Sequence, residues 1–319
     1  MGRGRLVKNF IVSDIHSFKD ELVAALKRAG YQKSNSNHRL IICGDLFDRG
    51  SQTVELYNYL KPIRNLVLVK GNHEYLYEEL LKKKFPDSYD FSNHTVDTFC
   101  HIAGYSPEVM TGDYWYKLGE ESPYDRIQQT WKEILKAVQE SEITKWIKSK
   151  KWKNYYELDK YIFVHSFIPL KNVDGLPSYY IHNRRFEYFK DWRTAATNLE
   201  WYDATWGCPY QQYLDGYFKD EEAKGKVLVC GHWVVTDFRQ HMLNMWSDDT
   251  SIFYSEHLIG LDCGVWHYRG TSGYVHPQNV LVIDDDDYNK CYDDYGTELE
   301  EEKAIPRIET VTPGYDSEF

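Results

Sequence analysis

A chain of 319 residues with 42% hydrophobic and 16% aromatic content can bury one large core or two modest ones. Its net charge of -11 leaves no basic footprint for duplex nucleic acid and no surface for anionic lipid, and no run approaches the ~18 apolar residues of a membrane span. Met1-Gly2-Arg3-Gly4-Arg5-Leu6 lacks the apolar core of a signal peptide, and the six cysteines contain no C-x-x-C pair, so they read as reduced thiols of a cytoplasmic protein.

The first element is the apolar run Asn9-Phe10-Ile11-Val12, which opens into Ser13-Asp14-Ile15-His16. Leu22, Val23, Leu26 and Ala29 then repeat at helical spacing. Arg39 to Cys43 leads into Gly44-Asp45-Leu46-Phe47-Asp48-Arg49-Gly50, and Val54, Leu56, Tyr57 and Leu60 follow as a second helical pattern. A third run, Leu66 to Lys70, leads into Gly71-Asn72-His73-Glu74. Such runs predict strands buried on both faces, alternating with helices. Sheets of that kind present their sites at the carboxyl ends of the strands, so Asp14, His16, Asp45, Asn72 and His73 are expected on one rim.

The next helix is expected from Tyr75 to Lys84, stopped by Phe85-Pro86-Asp87. Residues 85–155 read as a helical, aromatic-rich insertion, with Ile127, Trp131, Ile134, Leu135 and Val138 at helical spacing within Arg126 to Ile147 and with Tyr114, Trp115, Tyr116 and Trp146 added. These aromatics wall the site as a cap, glue the insertion to the core, or do both. Residues 284–319 read as an acidic tail, solvated or partly ordered. Asp285, Asp287 and Asn289 have the spacing of a calcium loop, but Lys290 and Gly296 stand where that loop needs glycine and glutamate.

Oxygen and nitrogen donors without thiolate suit a hard or borderline divalent ion, and more than four of them suggest two ions. Asp14-x-His16, the G-D-x-x-D-R-G block of Gly44 to Gly50, the G-N-H-E block of Gly71 to Glu74, Phe163-Val164-His165 and Val227 to His232 follow one another after apolar runs. In content and order they resemble the calcineurin-like metallophosphoesterases, most closely the phosphoprotein (serine/threonine) phosphatase branch and its bacterial and phage relatives. The resemblance implies an α/β four-layer sandwich, two mixed β-sheets flanked by helices, in one catalytic domain spanning 1–319. It assigns one metal to Asp14, His16 and Asp45 and a second to Asp45, Asn72, His165 and His232, with manganese first and iron, zinc, magnesium or nickel as alternatives.

Asn93 to Phe99 resembles the segment that follows G-N-H-E in the bacterial relatives, and Asp203 to Pro209 the D-x-x-W-x-x-P stretch of the phosphatase branch. Arg184, Arg185 and Arg193 are candidates for the branch's second phosphate-clamping arginine. Ser13 and Ser17 flank the first block where glycines are usual, and Ser166-Phe167 follows His165 where two glycines are. Val234 agrees with the phosphatase branch, since the wider superfamily often carries a histidine there.

Two ions about 3.5 to 4 Å apart share a water and lower its pKa toward ~7, so that hydroxide attacks phosphorus in line. Arg49 offers a planar fork for two phosphate oxygens. In the family the histidine matching His73 protonates the leaving alkoxide, and Asp48 is expected to orient it. Glu74 completes its motif with no chemical step assigned. Three functions follow: a phosphomonoesterase acting on phosphorylated protein, a hydrolase of dinucleoside polyphosphates or cyclic nucleotides, and an inactive binding protein. Retention of every ligand and both catalytic candidates argues against the last.

Overall fold

Successive side chains of a strand point to opposite faces, so a run that is apolar throughout must be covered on both sides. The computed structural model, which describes residues 7–150, 152–173, 186–218, 225–266, 277–284 and 290–303, shows how this is done. The strands are β1 (Lys8–Val12), β2 (His38–Cys43), β3 (Leu66–Val69), β4 (Tyr156–Glu157), β5 (Tyr161–Phe163), β6 (Leu170–Asn172), β7 (Phe186–Tyr188), β8 (Val227–Cys230), β9 (Phe253–Ser255), β10 (Leu258–Gly260), β11 (Leu281–Asp284) and β12 (Cys291–Tyr292). One sheet has the order β12-β11-β1-β2-β3, the other β4-β5-β8-β10-β9, and β6 and β7 form a separate hairpin.

In the first sheet β1, β2 and β3 are parallel, with Phe10 opposite Leu40 and Leu40 opposite Leu66, while β11 runs antiparallel to β1. In the second, β5, β8 and β10 are parallel between antiparallel edges. Ile11, Ile41, Cys43 and Leu281 of one sheet pack against Phe163, Val229 and Ile259 of the other. The alternate residues Phe10, Val12, Leu40 and Ile42 face helices α1 (Lys19–Arg28) and α2 (Thr53–Leu60) through Leu22, Leu26, Leu56 and Leu60. Ile162, Leu228 and Leu258 face the opposite helical layer through Trp201, Tyr210 and Phe238. The expected four layers are therefore present.

Helix α3 (Asn72–Leu80) starts at Asn72, earlier than the periodicity of its apolar residues suggests, so the G-N-H-E block is itself the first helical turn. The insertion comprises α4 (Ser88–Ser92), α5 (Thr95–Ala103), a 3-10 turn at Pro107–Met110, α6 (Gly112–Lys117), α7 (Pro123–Glu140) and α8 (Glu142–Ser149). The expected single helix over 126–147 is broken at Ser141, whose backbone is extended and whose hydroxyl accepts the Thr144 amide at 3.1 Å and donates to the Val138 carbonyl at 2.8 Å. A capping residue thus outweighs an unbroken apolar pattern.

Several of the insertion's large rings go into the core, while Tyr116 and Tyr124 stay exposed. Trp131 and Phe99 are wholly buried and stack at 5.7 Å, and Trp146 meets Tyr57 of α2 edge-on at 5.6 Å. Each such buried ring contributes about 1.5–3 kcal/mol relative to exposure, so these rings fasten the insertion to the core.

The acidic segment beyond β11 is bound to the body over residues 290–303, and the spaced carboxylates Asp285 and Asp287 and Asn289 lie outside the described residues. Arg28 holds Asp294 at 2.7 Å, and the Leu299 amide donates to the Cys291 carbonyl at 2.9 Å on the edge of the first sheet. The Glu302 amide donates to Tyr254 at 2.6 Å on the edge of the second, and its carboxylate takes two hydrogen bonds from the buried Arg239. Of the solvated or partly ordered alternatives, this part of the segment takes the ordered one, as a strap across both sheets.

Candidate metal centre

The candidate side chains lie in the loops that follow β1, β2, β5 and β8 and in the first turn of α3. Asp14, His16, Asp45, Asp48, Arg49 and His232 all take left-handed backbone conformations, with φ between 49° and 73°. For residues bearing a β-carbon this costs about 1–2 kcal/mol apiece, so the surroundings must hold them there. Two loops hold each other: the amides of Asp14, His16 and Ser17 donate to the carbonyls of Gly44, Asp45 and Leu46, and the Gly50 amide returns to His16 at 2.9 Å.

Glu74 fastens the third loop to the second. Its buried carboxylate accepts the amides of Gly71 at 2.7 Å, Leu46 at 2.9 Å and Asp45 at 3.0 Å. Its place three residues after Gly71, at the start of a helix, is the capping position that could have revealed this from sequence. Asp14 joins the two sheets, its Oδ2 accepting the His232 amide at 3.0 Å. The glycine before that amide cannot be replaced, because a β-carbon on Gly231 would run into the Asp14 carboxylate.

The donor atoms fall into two groups that share Asp45: His16, Asp45 and His73, and Asp45, His165 and His232, the members of each lying within 4.8 Å of one another. Hydrogen bonding orients the rings. A carbonyl only accepts, so His165 must donate through Nδ1 to the Cys43 carbonyl at 3.0 Å, and His16 through Nδ1 to the Phe47 carbonyl at 3.1 Å. In the neutral rings each Nε2 therefore presents a lone pair. That of His165 faces Asn72 Oδ1 at 2.8 Å and Asp45 Oδ1 at 3.3 Å. Acceptors gathered against acceptors are what a cation relieves, and this donor set fits a divalent metal.

Charge points the same way. Burial, with Asp262 next, raises the Asp14 carboxyl well above its ordinary range, and burial, with Asp14 next, does the same to Asp45. Burial lowers His16 and His232 well below the usual histidine value and His165 to about 3. The histidines thus offer bare nitrogens at neutral pH, while the carboxyls give up protons when a cation arrives. Metal affinity should fall as pH drops from neutral into the acid range, with proton release on binding that grows over the same interval. Titration calorimetry in buffers of different protonation enthalpy measures both, and a pH-independent affinity would contradict the assignment.

Within the first group, His73 Nδ1 donates to Asp48 Oδ2 at 2.6 Å, and its buried Nε2 has no hydrogen-bond partner. Asp48 in turn accepts the hydroxyls of Thr95 at 2.9 Å and Thr98 at 2.6 Å, both from α5. Arg49 donates through Nη1 to the His16 Nε2 lone pair at 2.9 Å. Residues 8–236 match the sequence model of the family described as Calcineurin-like phosphoesterase. The chain belongs to the calcineurin-like phosphoesterases.

A symmetrical bis(5'-nucleosyl)-tetraphosphatase of Hamiltonella defensa subsp. Acyrthosiphon pisum (strain 5AT) is 32% identical over 69 residues, which make up 21% of this chain and 24% of that protein. The chain thus spans about a quarter of that relative's length. Among solved structures it is similar to a cold-active protein tyrosine phosphatase, at 15% identity and a TM-score of 0.45 over 93% of this chain and 79% of the other. It is also similar to a serine/threonine phosphatase of Saccharomyces cerevisiae, at 13% identity and a TM-score of 0.43 over 94% and 82%.

In this phosphoesterase all nine sequence-derived site residues, Asp14, His16, Asp45, Asp48, Arg49, Asn72, His73, His165 and His232, meet on one rim between the sheets. Arg193, a candidate for the second clamp, instead makes a two-pronged ion pair with Glu157 at 3.0 and 3.1 Å, and its guanidinium lies 4.3 Å from the Trp192 ring. Arg184 and Arg185 lie outside the described residues. Trp206, from the D-x-x-W-x-x-P stretch, stands edge-on to His232 at 6.1 Å.

Proposed function

We propose that this phosphoesterase hydrolyses phosphate monoesters on a pair of divalent cations. One is held by Asp14, His16 and Asp45, the other by Asp45, Asn72, His165 and His232. The observation that carries the reading is the facing of acceptor lone pairs across the shared Asp45, with a guanidinium on one side and an unpartnered imidazole nitrogen on the other. When bound, the cations supply Lewis acidity and lower the pKa of a water toward ~7.

The protein's own part is positioning and proton delivery. Arg49 binds two phosphate oxygens with its planar fork and sets the phosphorus against the shared carboxylate. His73 gives the proton on Nε2 to the leaving oxygen, and Asp48, fixed by two threonine hydroxyls, keeps the other proton on Nδ1 and stabilises the charged ring. Burial lowers the His73 pKa and the Asp48 hydrogen bond opposes that, which suits a group that must both hold and release a proton.

A second reading, hydrolysis of dinucleoside polyphosphates on the same site, is favoured by the 69-residue match to a bis(5'-nucleosyl)-tetraphosphatase. Manganese is the first choice of ion. Six unpaired cysteines, five of them buried, support a reducing cytoplasm as the working compartment, and no helix among the described residues is long and apolar enough to cross a membrane.

Assaying para-nitrophenyl phosphate, a phosphopeptide and diadenosine tetraphosphate, each with manganese and with chelator, tests both readings. Chelator-sensitive turnover of the two monoesters is expected. Turnover of the dinucleotide alone would replace the first reading with the second, and no turnover of any ester by metal-replete protein would overturn both.

A further inference from the structure

The loop after β10 carries Trp266 to a place no catalytic step calls for. Its course is set by two backbone hydrogen bonds, the Leu261 amide to the Cys230 carbonyl and the Val235 amide to the Asp262 carbonyl, both at 2.9 Å, and by the Gly264 amide donating to the Asp262 carboxylate at 2.8 Å. Cys263 and Val265 pack with Phe18, and Trp266 closes over them. The indole ends with its ring centroid 3.9 Å from the Arg49 guanidinium carbon and 6.5 Å edge-on from His16.

We infer that Trp266 is the positioning residue for the phosphate clamp: its indole face is a shelf that holds the Arg49 guanidinium in the attitude needed to grip two phosphate oxygens. The inference rests on the clamp role proposed for Arg49. Arginine has many rotamers, and its backbone here is left-handed at φ 63°, so the main chain alone leaves the fork undirected. A half-buried guanidinium against the negative face of an indole, with Nη1 on His16 Nε2 at 2.9 Å, loses much of that freedom and keeps its other N–H groups for a ligand.

Steady-state kinetics on manganese-loaded protein tests this, with para-nitrophenyl phosphate as substrate and inorganic phosphate as inhibitor. Trp266→Leu should raise both KM and the phosphate inhibition constant by about 3- to 30-fold, the span of a cation–π contact. Trp266→Phe should keep most of the wild-type behaviour, and metal content should not change. In an Arg49→Ala background Trp266→Leu should add nothing.

Trp266→Leu adding its full effect in that background, or Trp266→Phe being as damaging as Trp266→Leu, would overturn the shelf. Arg49→Ala leaving both constants unmoved would strike the clamp reading instead. Should Trp266→Leu fail to fold, fluorinated tryptophans placed at 266 keep the shape and drain the ring face. A KM that rises with each added fluorine then supports the shelf, and a constant KM overturns it.

Discussion

Asp45→Asn should abolish phosphate-ester hydrolysis and strip most of the bound metal. Asp45 is common to both donor groups, so the change removes one negative charge from the point where two cations would be shared. Losing an outer-shell partner alone costs about 10- to 100-fold in metal affinity, and loss of a shared ligand should exceed that. The amide side chain can still accept the His73 backbone N–H that Asp45 Oδ1 now takes at 3.1 Å, so the fold should survive. Elemental analysis beside a thermal melt separates the outcomes, and a folded Asp45→Asn protein with two metals and normal rate would end the shared-ligand assignment.

The second large effect is chemical and leaves the metals in place. His73→Asn should slow hydrolysis of an alkyl phosphate by about 10²- to 10⁴-fold, the usual worth of a general acid. It should slow para-nitrophenyl phosphate far less, because nitrophenolate leaves without a proton. The small loss expected there separates proton delivery from damage to phosphate binding. Equal losses on both esters would remove His73 from the proton-transfer role, and loss of metal would make it a ligand, which its place in the first donor group permits.

The legibility of this site in the sequence follows the range of the interactions. Asp14 and Asp45 come two residues after a strand and Asn72 three, so periodicity places strand and rim together. That the strands are covered on both sides was legible too, since Phe10 and Ile11 are both apolar, but that a second sheet covers Ile11 was implied only by the family resemblance. Thr98 was not legible, because its hydroxyl acts on a carboxylate 50 residues away and a threonine in a helix carries no mark of that use. Trp266 was hidden likewise, 217 positions from Arg49. The insertion's rings announced their hydrophobicity but not their address: Trp131 packs on Phe99 in the core, whereas Tyr89 lies 6.2 Å from Trp206, the neighbour of His232.

The strap formed by residues 298–302 has an effect beyond anchoring. Open strand borders on soluble proteins invite pairing with neighbouring molecules, and here a single crossing segment occupies a border of each sheet, at Cys291 and at Tyr254. A polypeptide cut short before Leu299 would uncover both borders together, leaving the catalytic rim chemically whole while the molecules stuck edge to edge in solution.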